Sequence, residues 1–243
     1  MPTVLLVRHG RTSANTAGIL AGWTPGVRLD ETGEAQAQAL AARMAVLPLA
    51  AVVASPLERC QQTAAHLTSV TGPKGAARPG VVEEVRLGEC RYGDWTGREL
   101  KTLGKDPMWA VVQAHPSAAV FPGPEGESLR AMQSRAVDAV RDWDVRVAAE
   151  HGPDAVWVAV SHGDVIKAVL ADALGTHLDA FQRILVDPCS VSAVRYTPLR
   201  PFVLRSNDTG ADLTSLVPPT KARRPRARRG AASSDAVVGG GAG

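Results

Sequence analysis

Cysteine is scarce in this 243-residue chain, and its three copies do not pair up. Cys60, Cys90 and Cys189 are odd in number, far apart and free of any CxxC step, so neither a disulfide framework nor a zinc site is expected. Aromatic residues make up only 4% of the chain. None is interleaved with the basic cluster near the carboxyl end, as a base-stacking arm would need. Long apolar runs are missing too, since no stretch approaches the ~20 residues of a membrane span. The opening Met1-Pro2-Thr3 shows no basic region leading into an apolar signal core. The expectation is a soluble, cytoplasmic protein without a membrane partner.

Charge of one sign is concentrated rather than abundant. Residues 218–243 carry Lys221, Arg223, Arg224, Arg226, Arg228 and Arg229 against Asp235 alone. That excess of five positive charges exceeds the +3 of the whole chain and leaves the body at −2. A basic nucleic-acid-binding domain is therefore not indicated for the folded part. The tail, dominated by Pro, Arg, Ala, Ser and Gly, reads as disordered and solvated. Residues 1–217 remain for one domain, and a chain that is 45% hydrophobic can build a sizeable core there.

Within that domain, residues 3–7 form an apolar run that reads as a strand buried on both faces. It stops abruptly in Arg8-His9-Gly10, and packing gives no reason for a core strand to end that way. A long loop, residues 11–30, follows. Residues 32–47 then place Ala37, Leu40, Ala41, Met44 and Leu47 at helical spacing. A second short strand, 50–54, leads into Ser55-Pro56-Leu57-Glu58-Arg59. There Ser55 is expected to cap a helix, with Pro56 at its first position and Glu58 completing a capping box. Residues 81–87 read as a strand or extended edge in which Glu83 and Glu84 are solvated. Residues 98–126 read as a short, mostly polar, lid-like insertion broken by prolines. A long helix begins near Glu127. A third strand, 155–160, ends in Ser161-His162-Gly163 ahead of another helix. A short helical segment, 178–185, and two final strands, 191–196 and 202–206, complete the domain.

Three apolar strands thus end in Arg8-His9, in Arg59 and in His162. Each is followed by a helix, so a parallel arrangement is the default and gathers their carboxyl ends on one edge. Two guanidinium groups and two imidazoles converging there suit the oxygens of a phosphoryl group. No carboxylate cage accompanies them, so no metal is expected.

These residues carry a family resemblance. Arg8-His9-Gly10, Ser55-Pro56-Leu57-Glu58-Arg59 with Thr63-Ala64, and Ser161-His162-Gly163 resemble the signatures of the histidine phosphatase superfamily, which includes cofactor-dependent phosphoglycerate mutase. The resemblance implies an α/β three-layer sandwich with a mostly parallel central sheet and helices on both faces. It implies His9 as a nucleophile that becomes phosphohistidine, with Arg8, Arg59 and His162 holding the transferred group. Asn15, Gly22 and Gly163 match positions lining the phosphate pocket. Leu87-Gly88-Glu89, followed by Tyr92-Gly93, matches the acid segment and makes Glu89 the proton donor. Gly126-Glu127-Ser128 and Asn207-Asp208-Thr209 resemble the broad-specificity and ribazole-phosphate phosphatase branch. The mutases carry a longer lid with an arginine pair, where this chain offers only Arg98, Lys101 and Lys105. Arg11 and Asp164 depart from the residues common at their positions.

The implied activity is hydrolysis of small phosphate monoesters, with no cofactor and a small-molecule phosphate ester as the partner. A phosphoglycerate mutase-type phosphomutase is the alternative within the family. A non-catalytic phospho-ligand binder is disfavoured, because binding alone does not need an acid beside the nucleophile. A homodimer is left open. Cys60 and Cys90, flanking Arg59 and Glu89, read as packing residues.

Overall fold

The computed structural model describes residues 1–210. The expected disordered tail, 218–243, lies outside the described residues. Six strands form one mixed sheet: β1 (Thr3–Arg8), β2 (Leu49–Ala54), β3 (Val81–Glu83), β4 (Val156–Ser161), β5 (Val191–Tyr196) and β6 (Pro201–Asp208). Their order is β3-β2-β4-β1-β5-β6. β1, β2 and β3 join β4 in a parallel block, β5 runs antiparallel to β1, and β6 returns antiparallel to β5. The helices are α1 (Ser13–Ala17), α2 (Glu31–Met44), α3 (Glu58–Ser69), α4 (Leu100–Leu103), α5 (Pro107–Ala114), α6 (Leu129–His151) and α7 (Gly163–Ala173). None of the described helices is long and apolar enough to cross a membrane.

The central strands are apolar on both sides because both sides are covered. Successive side chains of a strand point to opposite faces. Val4, Leu6, Trp157 and Ala159 accordingly enter one core with α6 and α7. Leu5, Val7, Val158 and Val160 enter a second core with α2 and α3. Each large side chain so buried contributes about 1.5–3 kcal/mol. The result is an α/β sandwich of three layers.

The structure corrects several local expectations. Residues 81–87 are not one strand: β3 ends at Glu83, and Val85–Leu87 is a 3-10 turn. Glu84 is not solvated, because Arg86 and the Trp143 indole both donate to its carboxylate and help hold it down to about 2. The insertion at 98–126 is less polar than its sequence reads, since Leu103, Val112, Ala119 and Phe121 are buried in the first core. Ser55 does not cap α3. The cap position is Leu57, which makes no side-chain hydrogen bond there, and Ser55 is used elsewhere.

Candidate active site

The carboxyl ends of β1, β2 and β4 lie side by side, with Arg8 in register with Ser161 and Ala54 with Val160. Beyond them the main chain of the first motif is fixed by hydrogen bonds from every side. The His9 N–H donates to the Ser161 carbonyl at 3.0 Å, and the Cys189 N–H donates to the Arg8 carbonyl at 3.1 Å. The Gly10 N–H donates to Thr63 Oγ1 on α3 at 3.1 Å. Gly10 also abuts the first turn of α2. A Cβ there would meet the Gly33 carbonyl oxygen at 2.6 Å, so no larger residue fits without a shift. Arg8 is fully buried and donates from Nη1 to the Val186 carbonyl at 2.8 Å. Asn207 braces the adjoining turn, accepting from the Asp187 N–H and donating to its carboxylate, both at 2.7 Å.

His9 is 3% exposed, and its partners define its tautomer. Nδ1 lies 2.7 Å from the Gly10 carbonyl, which can only accept, so Nδ1 carries the proton. Nε2 therefore keeps a lone pair, and the Arg59 Nε–H points at it from 3.3 Å. Burial first, then the charges of Arg59 and Arg8, push the His9 imidazolium well below its ordinary range, so the ring is neutral.

Arg59 lies in the first turn of α3 and spreads its guanidinium across the site. Nη2 donates to the Gly22 carbonyl at 2.9 Å and approaches His162 Nδ1 at 3.2 Å. Nη1 is buried with no hydrogen-bond partner among the described residues. His162 is wholly buried at the N-cap of α7, and its ring meets that of His9 edge-on at 5.2 Å. Because Arg59 can only donate, His162 Nδ1 accepts. Its Nε2–H then donates to Ser55 Oγ at 2.8 Å. That bond is what Ser55 does in place of capping. Burial, then Arg59, holds His162 neutral as well.

Glu89 is 4% exposed, and its Oε2 lies 3.7 Å from His162 Nδ1. Oε1 accepts the Cys90 N–H at 3.0 Å. Burial, then the negative charge of Asp164, raises its carboxyl to about 7, although Arg59 and Arg8 pull the other way. Asp164 is itself buried, accepts the Tyr92 hydroxyl at 2.9 Å and sits 3.6 Å from Lys167 Nζ. Glu83 is exposed on an edge strand and Glu84 is locked to Arg86, so Glu89 is the acid of its segment that reaches the cluster.

The remaining expected positions surround this centre. Asn15 Oδ1 accepts the Thr12 N–H at 3.0 Å in a capping box that shapes the turn after Gly10. Gly22 offers its carbonyl to Arg59, and Gly163 is the first residue of α7. Cys60 Sγ lies 3.4 Å from His162 Nε2, but burial raises its thiol to about 12, so it stays protonated and packs. Among the described residues, no group of three or more His, Cys, Asp or Glu gathers as a metal would require.

The sequence model of the histidine phosphatase superfamily (branch 1) matches residues 4–209. The chain belongs to that superfamily. Curated relatives named probable phosphoglycerate mutase GpmB include those of Proteus mirabilis and Erwinia tasmaniensis. Both are 30% identical, over 81% of this chain and 86% of the first, and over 80% and 85% for the second. Solved structures with this fold include Bacillus stearothermophilus YhfR, at TM-score 0.72 and 25% identity over 86% of this chain and 98% of that one. They also include a mycobacterial glucosyl-3-phosphoglycerate phosphatase, at TM-score 0.72 and 24% identity over 85% and 98%. The curated relatives thus carry a probable-mutase name, and a structure of the same fold carries a phosphatase name.

Three participants had escaped the sequence reading. Ser55 had satisfied a local capping signature. Trp23, whose indole donates to the Glu89 carbonyl at 2.6 Å, lies in the loop of residues 11–30 and belongs to no motif. Arg135 of α6, which donates to the same carbonyl at 2.9 Å, has no sequence signal that sets it apart from the helix's other cations.

Proposed function

We propose that the protein is a phosphomonoester hydrolase that works through phosphohistidine. The observation that carries this reading is the neutral His9, its Nε2 lone pair presented beside Arg59 and His162 with a buried carboxyl of raised pKa next to them. Phosphoryl transfer needs positioning and charge neutralisation, and this arrangement provides both. Arg8 and Arg59 hold the phosphoryl oxygens, and His162 joins them by taking a proton at Nδ1 when the anionic phosphoryl group arrives, with Asn15, Gly22 and Gly163 shaping the pocket around them. The His9 Nε2 lone pair forms a bond to phosphorus while the ester P–O bond breaks. The departing oxygen takes that bond's electron pair, and the Glu89 proton passes to it. Glu89, now a carboxylate, accepts a proton from water as the water oxygen bonds to phosphorus. The P–N bond then breaks and its electron pair returns to His9.

A phosphomutase is the second reading, and the names of the curated relatives favour it. Arg98, Lys101 and Lys105, the cations available to a second anionic group in the insertion, are all exposed, which favours hydrolysis. The test is a panel of small phosphate monoesters assayed in chelator, with 3-phosphoglycerate included in the presence and absence of 2,3-bisphosphoglycerate. Hydrolysis of monoesters without mutase turnover is expected. Efficient interconversion of 2- and 3-phosphoglycerate would reverse the ranking, and loss of turnover in chelator would overturn the mechanism.

A further inference from the structure

Glu89 belongs to no helix or strand. It lies between two 3-10 turns, Val85–Leu87 and Gly93–Trp95, where no regular ladder holds the main chain. A general acid on such a segment is only as well aimed as the tertiary contacts around it. The Trp23 indole holds the Glu89 carbonyl and the Ser161 hydroxyl holds the Leu87 carbonyl, and a third side chain makes three such contacts at once. Arg135 of α6 donates from Nη1 to the carbonyls of Arg86 at 2.7 Å and Gly88 at 2.8 Å. Its Nη2 donates to the Glu89 carbonyl at 2.9 Å. The guanidinium is itself clamped bidentately by Glu127, at 3.0 Å from Nε and 2.6 Å from Nη2. Glu127 completes the strap, because its Oε1 accepts the Arg91 N–H at 2.8 Å and its own N–H donates to the Arg91 carbonyl at 2.9 Å. One ion pair therefore ties the chain on both sides of Glu89.

We infer that Arg135, anchored by Glu127, is the positioning residue that aims the Glu89 carboxyl at the leaving oxygen. The inference rests on the reading of Glu89 as proton donor. The geometry also explains why an arginine stands here. A planar fork reaches three carbonyls and a carboxylate at once, and a single ammonium does not. Misplacing a catalytic group by about 1 Å can cost ~10²-fold.

The experiment compares phosphoenzyme formation in single turnovers on an alkyl phosphate and on a nitrophenyl phosphate. Nitrophenolate departs with little need of a proton and reports everything except acid catalysis. Arg135→Lys should slow the alkyl ester by ~10²-fold and the nitrophenyl ester by much less, leaving the KM of the nitrophenyl ester unchanged. In a Glu89→Gln background the same substitution should add little, because an absent proton cannot be mis-aimed. Should Arg135→Lys not fold, Glu127→Gln carries the test, since it keeps an acceptor for the Arg91 N–H and loosens only the clamp. Its alkyl-selective loss should be the smaller one. Equal losses on both esters, or losses that multiply in the Glu89→Gln background, would make the strap merely structural and overturn the inference while leaving the acid in place. A Glu89→Gln enzyme slowed equally on both esters would refute the proton-donor reading itself, and the inference with it.

Discussion

Removing the charge of Glu89 should stabilise the protein, and by an amount that depends on pH. The folded carboxyl titrates at about 7 against an ordinary value of 4.5. A carboxyl raised in this way holds its proton more tightly folded than unfolded. Its stabilising contribution is fully present below 4.5 and is lost as pH climbs through 7. That gap corresponds to about 3 kcal/mol by pH 8, and to only about 1 kcal/mol at pH 5. Gln is close in shape to the protonated acid and offers an oxygen to the Cys90 N–H in place of Oε1. Glu89→Gln should therefore exceed the wild type in stability by about 3 kcal/mol at pH 8, with the advantage shrinking to about 1 kcal/mol at pH 5. His9 and His162, which take up protons on unfolding below their ordinary range, weaken both proteins alike in acid and drop out of the difference. Urea unfolding of both proteins across pH 5–8 is the assay. A difference that does not vary with pH, or a Gln variant less stable at pH 8, would show that the carboxyl does not suffer the burial and the Asp164 repulsion assigned to it.

Two further outcomes follow from the geometry. Asp164→Asn removes a negative charge that helps keep Glu89 protonated, so the alkaline fall in alkyl-ester phosphorylation should move to lower pH in single-turnover profiles. An unmoved limb would remove Asp164 from the tuning of the acid. Gly10→Ala should cost about 1–3 kcal/mol in urea unfolding, because the new Cβ runs into the Gly33 carbonyl oxygen, and an unchanged midpoint would show that the β1–α2 contact yields freely.

The layered architecture and most of the cluster were legible in the chain because they arise from local pattern. Apolar runs mark β1, β2 and β4, with Arg8 at the end of the first, Arg59 in the helix after the second and His162 just past the third, and helical spacing marks the elements that cover the sheet. Glu89 was a different matter. Its irregular segment has no periodicity to read, and only likeness to a family singled it out. Ser55 was misread for a related reason. Its local signature fits a capping box, but the buried His162 Nε2–H needs an acceptor, and that tertiary demand prevails. Glu127 and Arg135 stand eight residues apart and meet only because α6 packs beside residues 86–91. Glu127 precedes the N-cap Ser128 and Arg135 lies in the second turn, and no sequence interval distinguishes that pair from the other charges on and around α6.

The most direct test of the central claim is to trap the phosphoryl group during turnover. Rapid quenching of the enzyme with a labelled monoester should yield an acid-labile, base-stable adduct on the peptide that contains His9, formed at least as fast as turnover. His9→Ala should show neither adduct nor turnover. An adduct that survives in His9→Ala, or turnover with no covalent intermediate in the wild type, would contradict the account.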